Sequence, residues 1–186
     1  MDVEKVIEKR RGYRSLEEVK ITDETISALA KAAQLAPSCF NNQPTRYVFV
    51  FDSAKLTELH TALPNGNAWA KKASLIIAVF SRKEDDCVIG ERIYHQFDVG
   101  LATGFLILRA TELGLVAHPI AGYDPDVVKE VLAIPEDYEV IALVNVGKRA
   151  SSIDPILSEK QVEAEKERPA RLSIEEFVYL NRFGGE

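Results

Sequence analysis

The stretch Val99-Gly-Leu-Ala-Thr-Gly-Phe-Leu-Ile-Leu108 carries no charge and, wound as a helix, is apolar around its whole circumference. It lies in the second half of a helical pattern that reads from about Gly90 to Leu113, closed by Gly114 as a left-handed cap. A helix apolar on every side cannot face water and has to be enclosed. The chain must wrap it inside its own core or set it against another subunit. Gly100 and Gly104 fall on one face, where the lack of a side chain lets a second backbone approach closely. A bilayer span needs about 20 apolar residues, and this run is too short for one.

The remaining apolar runs read as strands. Leu75–Phe80 is apolar on both faces, as strands buried within a sheet are, and Val140–Val146 is a further strong strand. Tyr47–Phe51 is rich in β-formers and reads as buried, and Val116–Ile120 is a shorter strand. Helices fall between them. Val3–Glu8 forms a first helix. Thr22 or Asp23 caps a second, whose stripe is Ile26, Leu29, Ala30 and Ala33 and which Pro37 stops. Ser53 caps a third, carrying Leu56 and Leu59. Asp124 caps a fourth, with Pro125 at its first position and its end near Leu132. Pro64–Asn67 is a turn, and Arg82–Asp86 a charged connector. Alternating strands and helices make an α/β or α+β domain. From Ser151 to Arg168 the chain is polar with little periodicity. Ser173 and Glu176 then fit a capping box that opens an apolar terminal element. The expectation is one domain over residues 1–186, with 151–186 as a tether and a tail that docks on a second subunit.

A net charge of −6 argues against general nucleic-acid binding, which needs a basic surface. Cys39 and Cys87 are too few for a disulfide framework or a four-cysteine zinc site. His60, His95 and His118 are scattered without metal-ligand spacing, so no metal is expected. Met1-Asp2-Val3-Glu4-Lys5 is charged from its second residue, unlike a secretory leader. The expectation is a reduced, cytoplasmic protein that needs no membrane.

Two segments carry the chemistry. Lys9-Arg10-Arg11-Gly12-Tyr13-Arg14 crowds guanidinium groups beside a glycine, and guanidinium forks match phosphate oxygens two at a time. Ala36-Pro37-Ser38-Cys39-Phe40-Asn41-Asn42-Gln43-Pro44 is a loop rich in donors and acceptors and poor in apolar bulk. Together they suit a polar, phosphate-bearing ligand. Neither a G-x-G-x-x-G turn after a strand nor a G-x-x-x-x-G-K-[ST] loop is present, so a nucleotide is held by other means.

These two segments, in this order, resemble the opening of the FMN-dependent nitroreductase family. The likeness continues through Asp98–Leu115, similar to that family's central helix, through Pro119-Ile-Ala-Gly122, through Val144-Asn-Val-Gly147, and through Arg168-Pro-Ala-Arg171-Leu-Ser-Ile-Glu-Glu-Phe-Val178. The resemblance implies an α+β, three-layer α/β/α sandwich with a mixed sheet, a long central helix, a C-terminal arm and a homodimeric assembly. It implies an oxidoreductase that passes hydride from NADH or NADPH through FMN to a small acceptor such as a nitroaromatic or quinone, in a ping-pong cycle. The alternatives are a flavin-binding or storage protein, or a specialised member such as a reductive dehalogenase or flavin-cleaving enzyme.

The same resemblance assigns the site. Arg10, Arg171 and Arg168 hold the FMN phosphate, Arg11 lies beside the flavin, and Arg14 lies at the pyrimidine edge of the ring. Pro37, Ser38, Cys39 and Asn41 line the flavin from the partner subunit. Asn67 offers an amide to the ring edge. Pro119, Ile120, Ala121 and Gly122 follow the ring, with backbone N–H groups of the last two facing N5 and O4. No side chain is expected to act as acid or base, because the cofactor carries the chemistry. Several residues depart from the family pattern: Gly12 stands in place of a serine, Thr45 of a tryptophan, Ala121 of a glutamate and Pro169 of a lysine.

Overall fold

The computed structural model describes residues 2–184. Its sheet is organised around β3 (Leu75–Ser81), buried at every position, and the long β7 (Glu139–Arg149). The two pair antiparallel, with a register shift between Val79 and Phe80. Beyond β3 lies β2 (Arg46–Val50); β6 (Val116–Ile120) and the short β1 (Leu16–Glu17) also pair with β7. Each of these pairings is antiparallel, which corrects the mixed sheet implied by the resemblance. A second correction concerns β2, which is an edge strand, so only Val50 is fully buried and Phe51 is exposed.

Alternation along β3 sends its side chains to opposite faces and creates two cores. Ile76, Ala78 and Phe80 meet Leu56 and Leu59 of α3 (Ser53–Leu59), Val128 of α5 (Pro125–Leu132) and Trp69. Leu75, Ile77 and Val79 meet Leu29 and Ala33 of α2 (Asp23–Gln34) and Val99, Ala102 and Leu106 of α4 (His95–Glu112). Helices on both faces give the α/β/α layering. Thr22 accepts from the Thr25 N–H and caps α2, and Asp124 accepts from two N–H groups and caps α5. The cap of α3 is Asp52, which accepts from the Lys55 N–H, and not Ser53.

The long helix starts later than its pattern suggests. Val88–Ile89 (β4) and Arg92–Ile93 (β5) form a hairpin, with Gly90 at φ +63° in its turn. β-branched residues around a left-handed glycine favour that hairpin over a helical turn. Gly114, at φ +79°, closes α4 as expected. The polar stretch also holds more order than its periodicity signals: α6 (Glu159–Lys166) opens on a capping box of Ser158 and Gln161.

In one chain α4 is not enclosed on every side. Phe97 is 64% exposed and Phe105 41%, and the space beside Gly100 and Gly104 is open. Val3 and Ile7 of α1 (Val3–Lys9) are also exposed, as are Leu172, Ile174, Phe177 and Leu180 of the terminal arm. No helix among the described residues is long and apolar enough to cross a membrane.

Candidate functional site

The arginine segment runs extended between α1 and β1. Leaving α1, Arg10 closes the helix with its own N–H on the Val6 carbonyl, and Leu16 then pairs with Arg149 of β7. The last turn of α6 docks along it. Glu165, only 4% exposed, accepts the Arg14 N–H at 2.6 Å and the Ser15 N–H at 3.4 Å. Arg11 donates to the carbonyls of Ala164 and Glu165, satisfying acceptors that the end of a helix leaves open. Glu165 was not foreseen from sequence; the Ser158–Gln161 box was the signal that a helix stood there.

This docking builds a cleft of about 200 Å³ lined by Arg10, Arg11, Gly12, Arg14, His118, Ala164, Arg168, Pro169 and Arg171. All five arginines assigned by resemblance are thus brought together from opposite ends of the chain. Arg168 donates to the Glu8 carbonyl and Arg171 to the Pro169 carbonyl, but none of the five forms an ion pair with a carboxylate among the described residues. Burial and the neighbouring charges of Arg168 and Arg171 hold the Arg10 guanidinium below its ordinary pKa. Guanidinium groups crowded together and not ion-paired suit an anion site.

His118 forms the floor. Its ring lies 4.7 Å from the Trp69 ring centroid, and Nδ1 donates to the Tyr13 carbonyl at 3.0 Å. Burial lowers its pKa, and the Arg14 and Arg10 charges lower it further, against the opposing pull of that hydrogen bond and of Glu165. The ring also accounts for Gly12. A Cβ there would stand 3.3 Å from the imidazole, a tight contact that favours glycine beside this ring.

Asn67 is committed at both ends of its amide. Nδ2 donates to the Gly122 carbonyl at 2.7 Å, and Oδ1 accepts from Trp69 Nε1 at 3.2 Å. It therefore shapes the Pro119–Gly122 segment, where Pro119, Ala121 and Gly122 are exposed and Ile120 is buried. A Cβ on Gly122 would meet Asn67 Nδ2 at 2.7 Å, so a side chain there would displace the Asn67 amide.

The second loop lies elsewhere in the chain. Pro37 and Ser38 line a separate cleft of about 450 Å³ with Asn42, Gln43, Tyr47 and Asp98. Phe40, Asn41 and Gln43 take positive φ of 46°, 59° and 53°. Left-handed backbone at consecutive non-glycine residues is costly and gathers at functional sites. Asp98 Oδ2 accepts the Cys39 N–H at 2.6 Å. Burial, with Asp86 close by, raises the Asp98 pKa against that hydrogen bond. Cys39 is not a free loop thiol: it is disulfide-bonded to Cys87, which overturns the expectation of reduced cysteines.

Residues 7–63 and 51–148 match the model of the nitroreductase family. A solved structure described as an oxidoreductase containing FMN superposes with a TM-score of 0.86 at 30% identity, covering 100% of this chain and 95% of that one. A protein of Archaeoglobus fulgidus, provisionally named an NADH dehydrogenase/NAD(P)H nitroreductase, is 29% identical over 77% of this chain and 83% of its own length. The NADH dehydrogenase of Thermus thermophilus is 24% identical over 79% of this chain and 86% of its own.

Proposed function

Because the chain belongs to the nitroreductase family, a family of oxidoreductases, we propose that it is an FMN-dependent NAD(P)H oxidoreductase acting on a nitroaromatic, quinone or similar small acceptor. The observation that carries this reading is the cleft of five arginines, none of them ion-paired among the described residues. Its donors fit a phosphate monoester. Arg10, Arg168 and Arg171 hold the phosphate; Arg14, whose guanidinium lies 5.8 Å from the Trp69 ring centroid, reaches the pyrimidine edge. The Asn67–Gly122 contact holds the Pro119–Gly122 segment in shape along the ring. When bound, FMN supplies reversible two-electron hydride chemistry. Donor and acceptor would bind at one site in turn, as a ping-pong cycle requires.

The assembly is a homodimer. The open stripe of α4, with Phe97, Gly100, Gly104 and Phe105, and the apolar arm beyond Arg171 both need a covering surface. A second copy offers the same surfaces in return, as two-fold interfaces do. It also brings Pro37, Ser38 and Asn41 to the arginine cleft of its neighbour, which explains why the two clefts are apart in one chain. The protein acts in the cytoplasm.

The test is ligand discrimination. Titrating apo protein with FMN, riboflavin and FAD should give tight FMN binding, with riboflavin weaker by at least about a hundredfold, the worth of roughly 3 kcal/mol of lost phosphate contacts. Equal affinity for FMN and riboflavin would mean that the arginines do not hold a phosphate.

A further inference from the structure

We infer that Cys39 and Cys87 form a reversible dithiol–disulfide site, worked by small thiols, that clamps the Ser38–Gln43 loop and slows release of the flavin. The inference rests on the reading above for what the loop faces, and on this chain's own geometry for the clamp. These are the only cysteines in the sequence, and they meet across a separation of 48 residues with Cα atoms 6.1 Å apart, well inside the usual range for a bridge. The bridge joins the loop after α2 to the start of the β4–β5 hairpin, two segments that no strand pairing or helix ties together.

The loop needs such a tie. Phe40, Asn41 and Gln43 hold left-handed backbone, a conformation that persists only where the surroundings impose it. Phe40 is 87% exposed and contributes no packing to keep the loop in place. The remaining restraints are few. Asp98 accepts the Cys39 N–H, Ser38 Oγ accepts the Gln43 N–H at 3.0 Å, and Asn42 Nδ2 donates at 3.3 Å to both Asp86 Oδ1 and Cys87 Sγ. Two of these contacts converge on the Cys87 side and depend on the position the bridge fixes. With the bridge open, the strained loop is held by Asp98, by Arg46 Nη1 donating to the Gln43 carbonyl at 2.8 Å, and by its own internal bonds.

The chemistry is thiol–disulfide exchange. Cys39 is the more exposed of the pair, so an external thiolate attacks its sulfur. The bond between the two cysteines breaks, and Cys87 leaves as a thiolate that takes a proton. A second thiol then attacks the mixed disulfide on Cys39, releasing the small-molecule disulfide and leaving two protein thiols. Two electrons pass from the external thiols to the protein, and the reverse sequence restores the bridge.

The test equilibrates the FMN-loaded full-length protein in mixtures of reduced and oxidised glutathione. Three quantities are read: protein thiols by alkylation and mass, the FMN dissociation rate, and amide hydrogen exchange across residues 39–43. Both thiols should disappear together within one chain as the mixture becomes oxidising. Over the same range FMN release should slow at least several-fold and exchange at residues 39–43 should slow with it. Cys39→Ser and Cys87→Ser should behave like the reduced parent in every mixture. Thiols that alkylate in all mixtures, or a bridge that forms without changing loop exchange, would overturn the inference. A bridge that slows exchange without changing FMN release would remove the flavin-facing role of the loop and leave the clamp. Failure to bind FMN at all would overturn the function proposed above, with thiol titration and exchange still deciding the clamp.

Discussion

Replacing Arg10 with glutamine should move two quantities in opposite directions. In the folded chain the Arg10 side chain makes no hydrogen bond among the described residues, and its nearest charges are Arg168 and Arg171. Its removal therefore relieves like-charge repulsion. At this exposure charge–charge contacts are worth a few tenths to about 1 kcal/mol, which for a chain of this size corresponds to a rise in melting temperature of roughly 1–4 °C. The gain should shrink as salt is added, because screening already weakens the repulsion in the parent. FMN binding should change the other way. A charge-assisted hydrogen bond to phosphate contributes about 1.5–3 kcal/mol, so the dissociation constant should rise between roughly tenfold and a hundredfold. Thermal melts of the apo protein with and without salt, beside FMN titrations, provide both numbers. A variant that loses apo stability and FMN affinity together would show that Arg10 is a structural residue and that the cluster is not held open for an anion.

Other outcomes follow from the same geometry. Arg14→Ala should lower the two-electron midpoint potential by roughly 20 mV if about 1 kcal/mol of preference for the reduced ring is lost, whereas Arg10→Gln should leave the potential unchanged; dye-referenced titration separates them. His118 is held below the ordinary imidazole pKa, so on acidification from about pH 7 to 5 the unfolded chain takes up a proton that the folded chain resists, and stability falls. His60, lowered by burial and Lys71, contributes with the same sign, so His118→Gln should flatten the pH dependence of the melting temperature only in part; equal slopes in parent and variant would refute the assignment. Phe105→Glu, on the open stripe of α4, should give a monomer by light scattering and lose FMN although the arginine cleft of that chain is intact. A monomer with parental FMN affinity would show that the partner does not complete the site.

Much of this architecture is written in local patterns. Leu75–Phe80 is apolar on both faces because it is a buried inner strand, Val140–Val146 is legible as the strand beside it, and Asp124-Pro125 announces its helix through cap chemistry that acts within a few residues. The misreadings arise where tertiary position decides. Tyr47–Phe51 has the composition of a buried strand, but its place at the sheet edge leaves it half covered. Gly90 fits a helical register and is instead claimed by a hairpin turn. In the site, Arg10, Arg11, Arg14, Arg168 and Arg171 were legible as charge, but Glu165 and the packing of His118 were not. Their roles come from the docking of α6 against the arginine segment and from the stacking on Trp69, long-range contacts that no local pattern encodes. Likewise, the pairing of Cys39 with Cys87 follows from where two loops meet and not from their spacing.

The central claim is that this chain moves electrons from a nicotinamide donor to a small acceptor through FMN held by the arginine cleft. Anaerobic mixing of the FMN-loaded protein with NADH or NADPH, followed by a nitroaromatic or quinone, tests it in one experiment. The account predicts that the visible flavin band bleaches with at least one donor and returns when the acceptor is added. A protein that takes up no FMN, or whose flavin band stays unchanged with both donors, would contradict it.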